Sequence, residues 1–304
     1  MQRTMLLTLL IAYHCSIAQP AKVENYSINQ VNLPADLDNQ VCISGMKYFD
    51  GKLYMASERC PEIFVIDPSN GSLLQTITTS VPQTFEMEGM GSYDKKFYLI
   101  SENIAAVYEL SISGGKVIPV SVSIQLPPKS KSGDGMEGIA GNEAFHKFYL
   151  LRERTEDLSR SQIYTFKVGP GRNGASISLE YESMFDILLD NRDWRYSDLC
   201  LDKDHHRLLC LKTYSKGKQR QQAIESIDID EKGNLQPESR TELHVDNLPT
   251  IAGPYIKQHF SMNLEGLTID PSGNLYLVSD NTSGAARCEK KASERTIFFK
   301  LSRK

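Results

Sequence analysis

Glu265-Gly266-Leu267-Thr268-Ile269-Asp270, a Pro271-Ser272-Gly273 turn, and then Asn274-Leu275-Tyr276-Leu277-Val278-Ser279-Asp280 form a hairpin in miniature. An acidic residue opens it, apolar residues carry two strands, Pro and Gly punctuate the turn, and a polar pair closes it. The same grammar recurs upstream. Glu88-Gly89-Met90 precedes Lys96-Phe97-Tyr98-Leu99-Ile100-Ser101-Glu102, and Glu137-Gly138-Ile139-Ala140 precedes Lys147-Phe148-Tyr149-Leu150-Leu151-Arg152-Glu153. A fourth copy joins Ser44-Gly45-Met46 to Lys52-Leu53-Tyr54-Met55-Ala56-Ser57-Glu58. A degenerate fifth runs Asp198-Leu199-Cys200-Leu201 into Arg207-Leu208-Leu209-Cys210-Leu211-Lys212.

A third apolar strand follows each pair, as in Glu62–Ile66, Ala106–Leu110, Gln162–Phe166 and Thr296–Lys300, and a more polar fourth generally comes next, such as Val120–Ile124. Four antiparallel strands repeating every ~40–50 residues predict an all-β propeller. Five blades fit the count. A sixth would have to hide in residues 169–196, where a helical turn over 183–191 is the alternative content. The last blade runs out of chain at Lys304 after three strands. Residues 22–34, whose Asn32-Leu33-Pro34 echoes Gln125-Leu126-Pro127 and Asn247-Leu248-Pro249, are expected to supply its outer strand and close the ring.

Ahead of the repeats, Arg3, the apolar run Met5–Ala12 and the small residues Ser16-Ile17-Ala18 read as an export signal over residues 1–18. Residues 19–304 then form one domain, secreted or periplasmic, with no membrane span. Loss of Arg3 takes the formal charge from −4 to −5. That mild acidity excludes a nucleic-acid binder, which needs a clustered basic surface; the short run Lys216-Gly217-Lys218-Gln219-Arg220 reads as a solvated loop. An oxidising compartment permits disulfides. Symmetry about the hairpin turns pairs Cys42 with Cys60 and Cys200 with Cys210, with buried free thiols as the alternative; Cys288 lacks an evident partner.

The first residue of each inner strand and the last of each second strand are expected at one channel mouth. That gathers Glu88, Glu137, Asp198 and Glu265 into a ring with Ser44, and Glu58, Glu102, Glu153 and Asp280 beside it. Facing carboxylates resist joint ionisation unless something positive sits among them. A hard cation with oxygen ligands meets that need, and calcium tolerates irregular rings better than magnesium. The other reading makes these carboxylates structural acceptors for backbone N–H groups. Arg59, Arg152, Arg154 and Lys212 fall near the same mouth, where they would clamp an anion or pair with the glutamates. His259 is a candidate proton carrier beside Glu137 and Glu265. Serine-hydrolase elbows, H-E-x-x-H and Walker loops are all missing.

Met136-Glu137-Gly138-Ile139-Ala140, Leu264-Glu265-Gly266-Leu267 and Leu275–Asn281 resemble motifs of secreted phytase-like propellers, the group described as esterase-like activity of phytase, and of the related SdiA-regulated proteins. The resemblance runs from about Ser44 to Lys304. It implies calcium near the axis, hydrolysis of phosphate or other esters, and central roles for Glu88, Glu137 and Glu265. Ser44 and Asp198 depart from the pattern. Two functions stay open: a monomeric metal-dependent hydrolase of a small anionic or ester substrate, and a binding propeller whose cation only rigidifies the axis.

Overall fold

The computed structural model describes residues 24–34, 37, 42–82, 84–131, 134–217, 219–246, 248, 255–281 and 294–304. Residues 1–18, read above as an export signal, and Cys288 lie outside them. Five antiparallel sheets form the blades of a five-bladed β-propeller. The first holds Ile43–Phe49, Lys52–Ser57, Glu62–Ile66 and Leu73–Thr78, and the second Met87–Tyr93, Lys96–Ser101, Ala106–Ser111 and Lys116–Pro119. The third holds Met136–Asn142, Lys147–Arg152, Arg160–Pro170 and Ile177–Leu188; the fourth Trp194–Asp202, Arg207–Lys216, Gln219–Ile229 and Leu235–Glu242. Asn263–Ile269, Leu275–Asp280 and Phe298–Arg303 begin the fifth.

Asn25–Val31 completes that fifth blade, running antiparallel to Phe298–Arg303 from Tyr26↔Arg303 to Val31↔Phe298. The ring is therefore closed by the start of the chain, as the sequence predicts. Closure buries Tyr26 against Leu209, Leu211, Leu264 and Leu301. Apolar residues of adjoining blades share five such clusters, so each blade buries its faces against its neighbours.

Residues 169–196 hold no sixth blade. Ile177–Leu188 is a continuous outer strand paired along Arg160–Pro170, in place of a helical turn over 183–191. The outer strand of the second blade is Lys116–Pro119 rather than Val120–Ile124. Beyond it, Ser121–Val122 crosses to pair in parallel with Ser178 and Leu179 of the third blade.

Neither expected cysteine bridge forms: Cys42, Cys200 and Cys210 are free and buried. Register explains both failures. The Asp50-Gly51 turn pairs Phe49 with Lys52, and a bulge over Ser44-Gly45 shifts the ladder again. Cys42 thus faces Glu58, whose N–H donates to its carbonyl at 2.8 Å, and Cys60 lies two residues on. Cys60 is disulfide-bonded, to a partner outside the described residues. In the fourth blade Cys200 pairs with Leu209 and Leu199 with Cys210. That one-residue offset sends the two thiols to opposite faces, Cys200 toward Tyr26 and Leu264 and Cys210 toward Tyr149 and Ile227.

Candidate functional site

Each inner strand carries one extra residue near its start, a bulge against the second strand. The bulged residues are Glu88, Glu137 and Glu265 in three blades and Ser44 in the first. In the fourth the ladder steps from Tyr196↔Lys212 to Asp198↔Leu211, which makes the bulged residue Ser197. A bulge re-aims one side chain out of the pleat, and here it turns the carboxylates into the channel mouth. The glycine that follows is set by crowding: a Cβ on Gly89 would lie 2.3 Å from the Glu137 carbonyl oxygen.

Asp198 therefore occupies the glycine slot. Its Oδ1 accepts the Leu199 N–H and its Oδ2 the Leu267 N–H, both at 2.7 Å. It latches the inner strands of the fourth and fifth blades together and does not line the mouth. Asp198→Asn removes one of those acceptors and sets an amide against an N–H. The expected cost is about 1–3 kcal/mol by urea unfolding, with cation affinity unchanged; a neutral substitution would rule out the latch.

The mouth is an open bowl of about 230 Å³. Eight carboxylates line it (Glu58, Glu88, Glu102, Asp134, Glu137, Glu153, Glu265 and Asp280) against the guanidinium groups of Arg59, Arg154 and Arg195. Arg195, absent from the sequence reading, is the central cation. Its Nη1 lies 2.9 Å from Glu153, and its Nη2 reaches Glu265 at 2.7 Å and Asn263 at 2.6 Å. Arg59 binds Glu58 and Glu86, Lys129 binds Glu86 and Glu102, and Arg154 holds Asp134 at 2.7 Å.

Glu88 and Glu137 are buried with no cationic partner among the described residues; Glu88 has only the Ser44 hydroxyl. Burial, reinforced by neighbouring carboxylates, pushes both well above the usual carboxylate range. Burial likewise lifts Glu58 to about 8, and Glu265 to about 7 even against the pull of Arg195. Raised carboxyl groups in the folded state bind protons that the unfolded chain releases near 4.5. Without a cation, stability should therefore fall as pH climbs from about 4.5 through 7–8, and be greater at low pH within that window. Thermal melts in chelator at pH 5.5 and pH 8 test this; equal melting temperatures would contradict it.

The donor set fits a hard cation. Oxygens of Glu102, Glu137 and Glu153, and separately of Glu58, Glu86 and Glu88, lie within 4.8 Å of one another. Two ligands at ~2.4 Å from one calcium ion are at most about that far apart.

Four expected site residues lie elsewhere. Arg152 and Lys212 share a register slot with Ser57, Ser101 and Ser279, one residue before the bowl position. Alternation turns them to the other face. Arg152 donates to Gln162 at 3.2 Å, while Lys212 binds Asp190 and Glu225 and stacks over Trp194. His259 is exposed in a turn at φ 60°, its carbonyl accepting the Arg295 N–H. Asp198 is the fourth.

The sequence profile of the phytase-like family, described as esterase-like activity of phytase, matches residues 45–282. The chain belongs to that family. This phytase-like propeller superposes on the glutaminyl cyclase of Myxococcus xanthus with a TM-score of 0.53 at 9% identity, over 93% of this chain and 98% of that one. The PQQ-bound aldose sugar dehydrogenase of Streptomyces coelicolor gives a TM-score of 0.47 at 11% identity, over 94% and 100% of the two chains. At 9% identity the likeness to the cyclase is one of fold. No curated protein matches the sequence. No helix among the described residues is long and apolar enough to cross a membrane.

Proposed function

We propose that the bowl holds a hard divalent cation, calcium by the character of its donors, and that in this state it hydrolyses a phosphate or carboxylic ester. The observation that carries this reading is the pair Glu88 and Glu137, buried with no ion pair of their own among the described residues at the mouth of a phytase-like propeller. Leaving two such carboxylates unpaired is costly, and a cation removes the cost. Glu137 would hold it with Glu102 and Glu153, whose oxygens lie within one ion's reach, and Glu88 would stand beside that site with its own cluster of Glu58 and Glu86.

When bound, a divalent cation polarises an ester oxygen and acidifies water. The chain supplies the rest. Glu265, pinned by Arg195 and near neutrality in its proton affinity, is suited to exchange a proton at physiological pH. Arg59, part-exposed at the rim, orients the anionic end of a substrate. Arg152, Lys212, His259 and Asp198 have no part in this scheme, since none lines the bowl. Export through residues 1–18 and a single monomeric domain over residues 19–304 belong to the same proposal; an extracellular or periplasmic setting would keep millimolar calcium within reach.

A second reading, a binding propeller with a structural cation, draws on the absence of any histidine among the bowl's lining residues. One measurement separates the two. Phosphate monoesters, carboxyl esters and lactones are assayed with calcium and with chelator, for the wild type and for Glu265→Gln. Calcium-dependent turnover that Glu265→Gln lowers by roughly 10²–10⁴-fold at unchanged calcium occupancy supports hydrolysis; occupancy without turnover leaves the binding propeller.

A further inference from the structure

The bowl uses one end of the channel. At the other end, the turns of the inner hairpins surround a cavity of about 330 Å³ to which all five blades contribute, through Lys47, Ser92, Glu143, Leu201 and Ile269 among others. Three residues past each bulge, the inner strands carry Lys47, Gly91, Ala140, Cys200 and Thr268. Four of these five are small or short. The fifth is Lys47, the one charged side chain in that layer.

Every other cation of this cavity is already engaged. Arg303 binds Glu24 at 2.7 Å, His205 lies 2.8 Å from Asp202, and Lys203 lies 3.6 Å from Glu143. Among the described residues Lys47 has neither an ion pair nor a side-chain hydrogen bond, and the nearby Asp198 spends both oxygens on backbone N–H groups. Burial pushes the Lys47 ammonium below its ordinary pKa, a cost that an arriving anion would reverse. Around it, Phe49, Leu201 and Ile269 offer apolar wall, while Asp50 and Asp204 stand exposed at the rim. A half-buried cation without an ion pair attracts an anion, the walls favour an organic body, and the acidic rim repels multiply charged species.

We propose that this second mouth is a separate ligand site for a small, singly charged organic anion, whose carboxylate pairs with Lys47 and whose apolar body rests on Phe49, Leu201 and Ile269. The site is independent of the bowl and of any cation held there.

Benzoate is the probe, titrated calorimetrically into the full chain with calcium present and with chelator, and inorganic phosphate is the comparison. Saturable benzoate binding is expected, equal in both buffers, tighter than phosphate, and weakened by roughly tenfold or more in Lys47→Met through loss of a charge-assisted pair. No saturable binding, binding that Lys47→Met leaves intact, binding abolished by chelator, or phosphate bound as tightly as benzoate would each overturn the proposal. Should Lys47→Met fail to fold, acetylation of the wild type read by mass spectrometry takes its place. Benzoate must then slow modification of Lys47 while sparing exposed Lys95, and equal rates at both would overturn the site.

Discussion

Calcium added to the metal-free protein is expected to raise its melting temperature by roughly 5–10 °C. The estimate follows from linkage: a ligand at one hundred times its dissociation constant stabilises the folded state by about 2.7 kcal/mol. For a chain of this size each kcal/mol moves the midpoint by about 2–4 °C. The carboxylates of Glu88 and Glu137 are the reason to expect it, since both are buried in a field of their own sign. Glu137→Gln should blunt the calcium response and, in chelator, leave the protein as stable as wild type or more so, because one source of repulsion is gone. Protons compete for the same oxygens, so the calcium shift should be larger at pH 8 than at pH 5.5. If the carboxylates were only acceptors for backbone N–H groups, chelator would change nothing and Glu137→Gln would destabilise. The two readings differ in sign, and scanning calorimetry on two proteins and two buffers decides between them.

The blades were legible because their signal is repeated. A single Glu-Gly step followed by alternating apolar residues is weak; several copies at blade spacing fix both the fold and the ring of Glu88, Glu137 and Glu265. Asn25–Val31 was legible for a related reason, an unpaired edge in the last blade and a matching exit motif in the first residues. What failed was register at one-residue precision. Glu137 stands ten residues before Lys147, and the residue ten before Arg207 is Ser197, yet acidity drew the eye to Asp198. That slip carries Asp198 from the glycine slot into the ring. The bowl position lies one residue beyond Arg152 and Lys212, and single-residue offsets in the ladder likewise separate the cysteine pairs. Charge at a strand end says that a site is near; only the hydrogen-bond ladder says which side chains enter it.

Arg195 shows how the fourth blade compensates for breaking the ring. Where the second, third and fifth blades place pairs of carboxylates, this one places Ser197 and Thr213, which bond to each other at 3.0 Å and contact the Leu264 carbonyl. Its inner strand begins early, at Trp194, and Arg195 at its mouth end reaches across to Glu153 and Glu265. Two carboxylates from different blades are thereby neutralised by one guanidinium whose own proton affinity they raise. Arg195→Met keeps an apolar stem but strands both buried acids without their cation. The expected loss is about 3–5 kcal/mol, the usual penalty for orphaning a buried charge partner. The loss should depend on pH with a definite sign. Removing the guanidinium raises the folded-state pKa of Glu153 and Glu265 further, so the variant lags most at pH 8 and recovers as pH falls toward 5 and the acids take up protons. Urea unfolding of both proteins at these two pH values reads the difference. A deficit that stays constant with pH would mean that Arg195 contributes packing rather than charge, and the fourth blade would then have no electrostatic stake in the bowl.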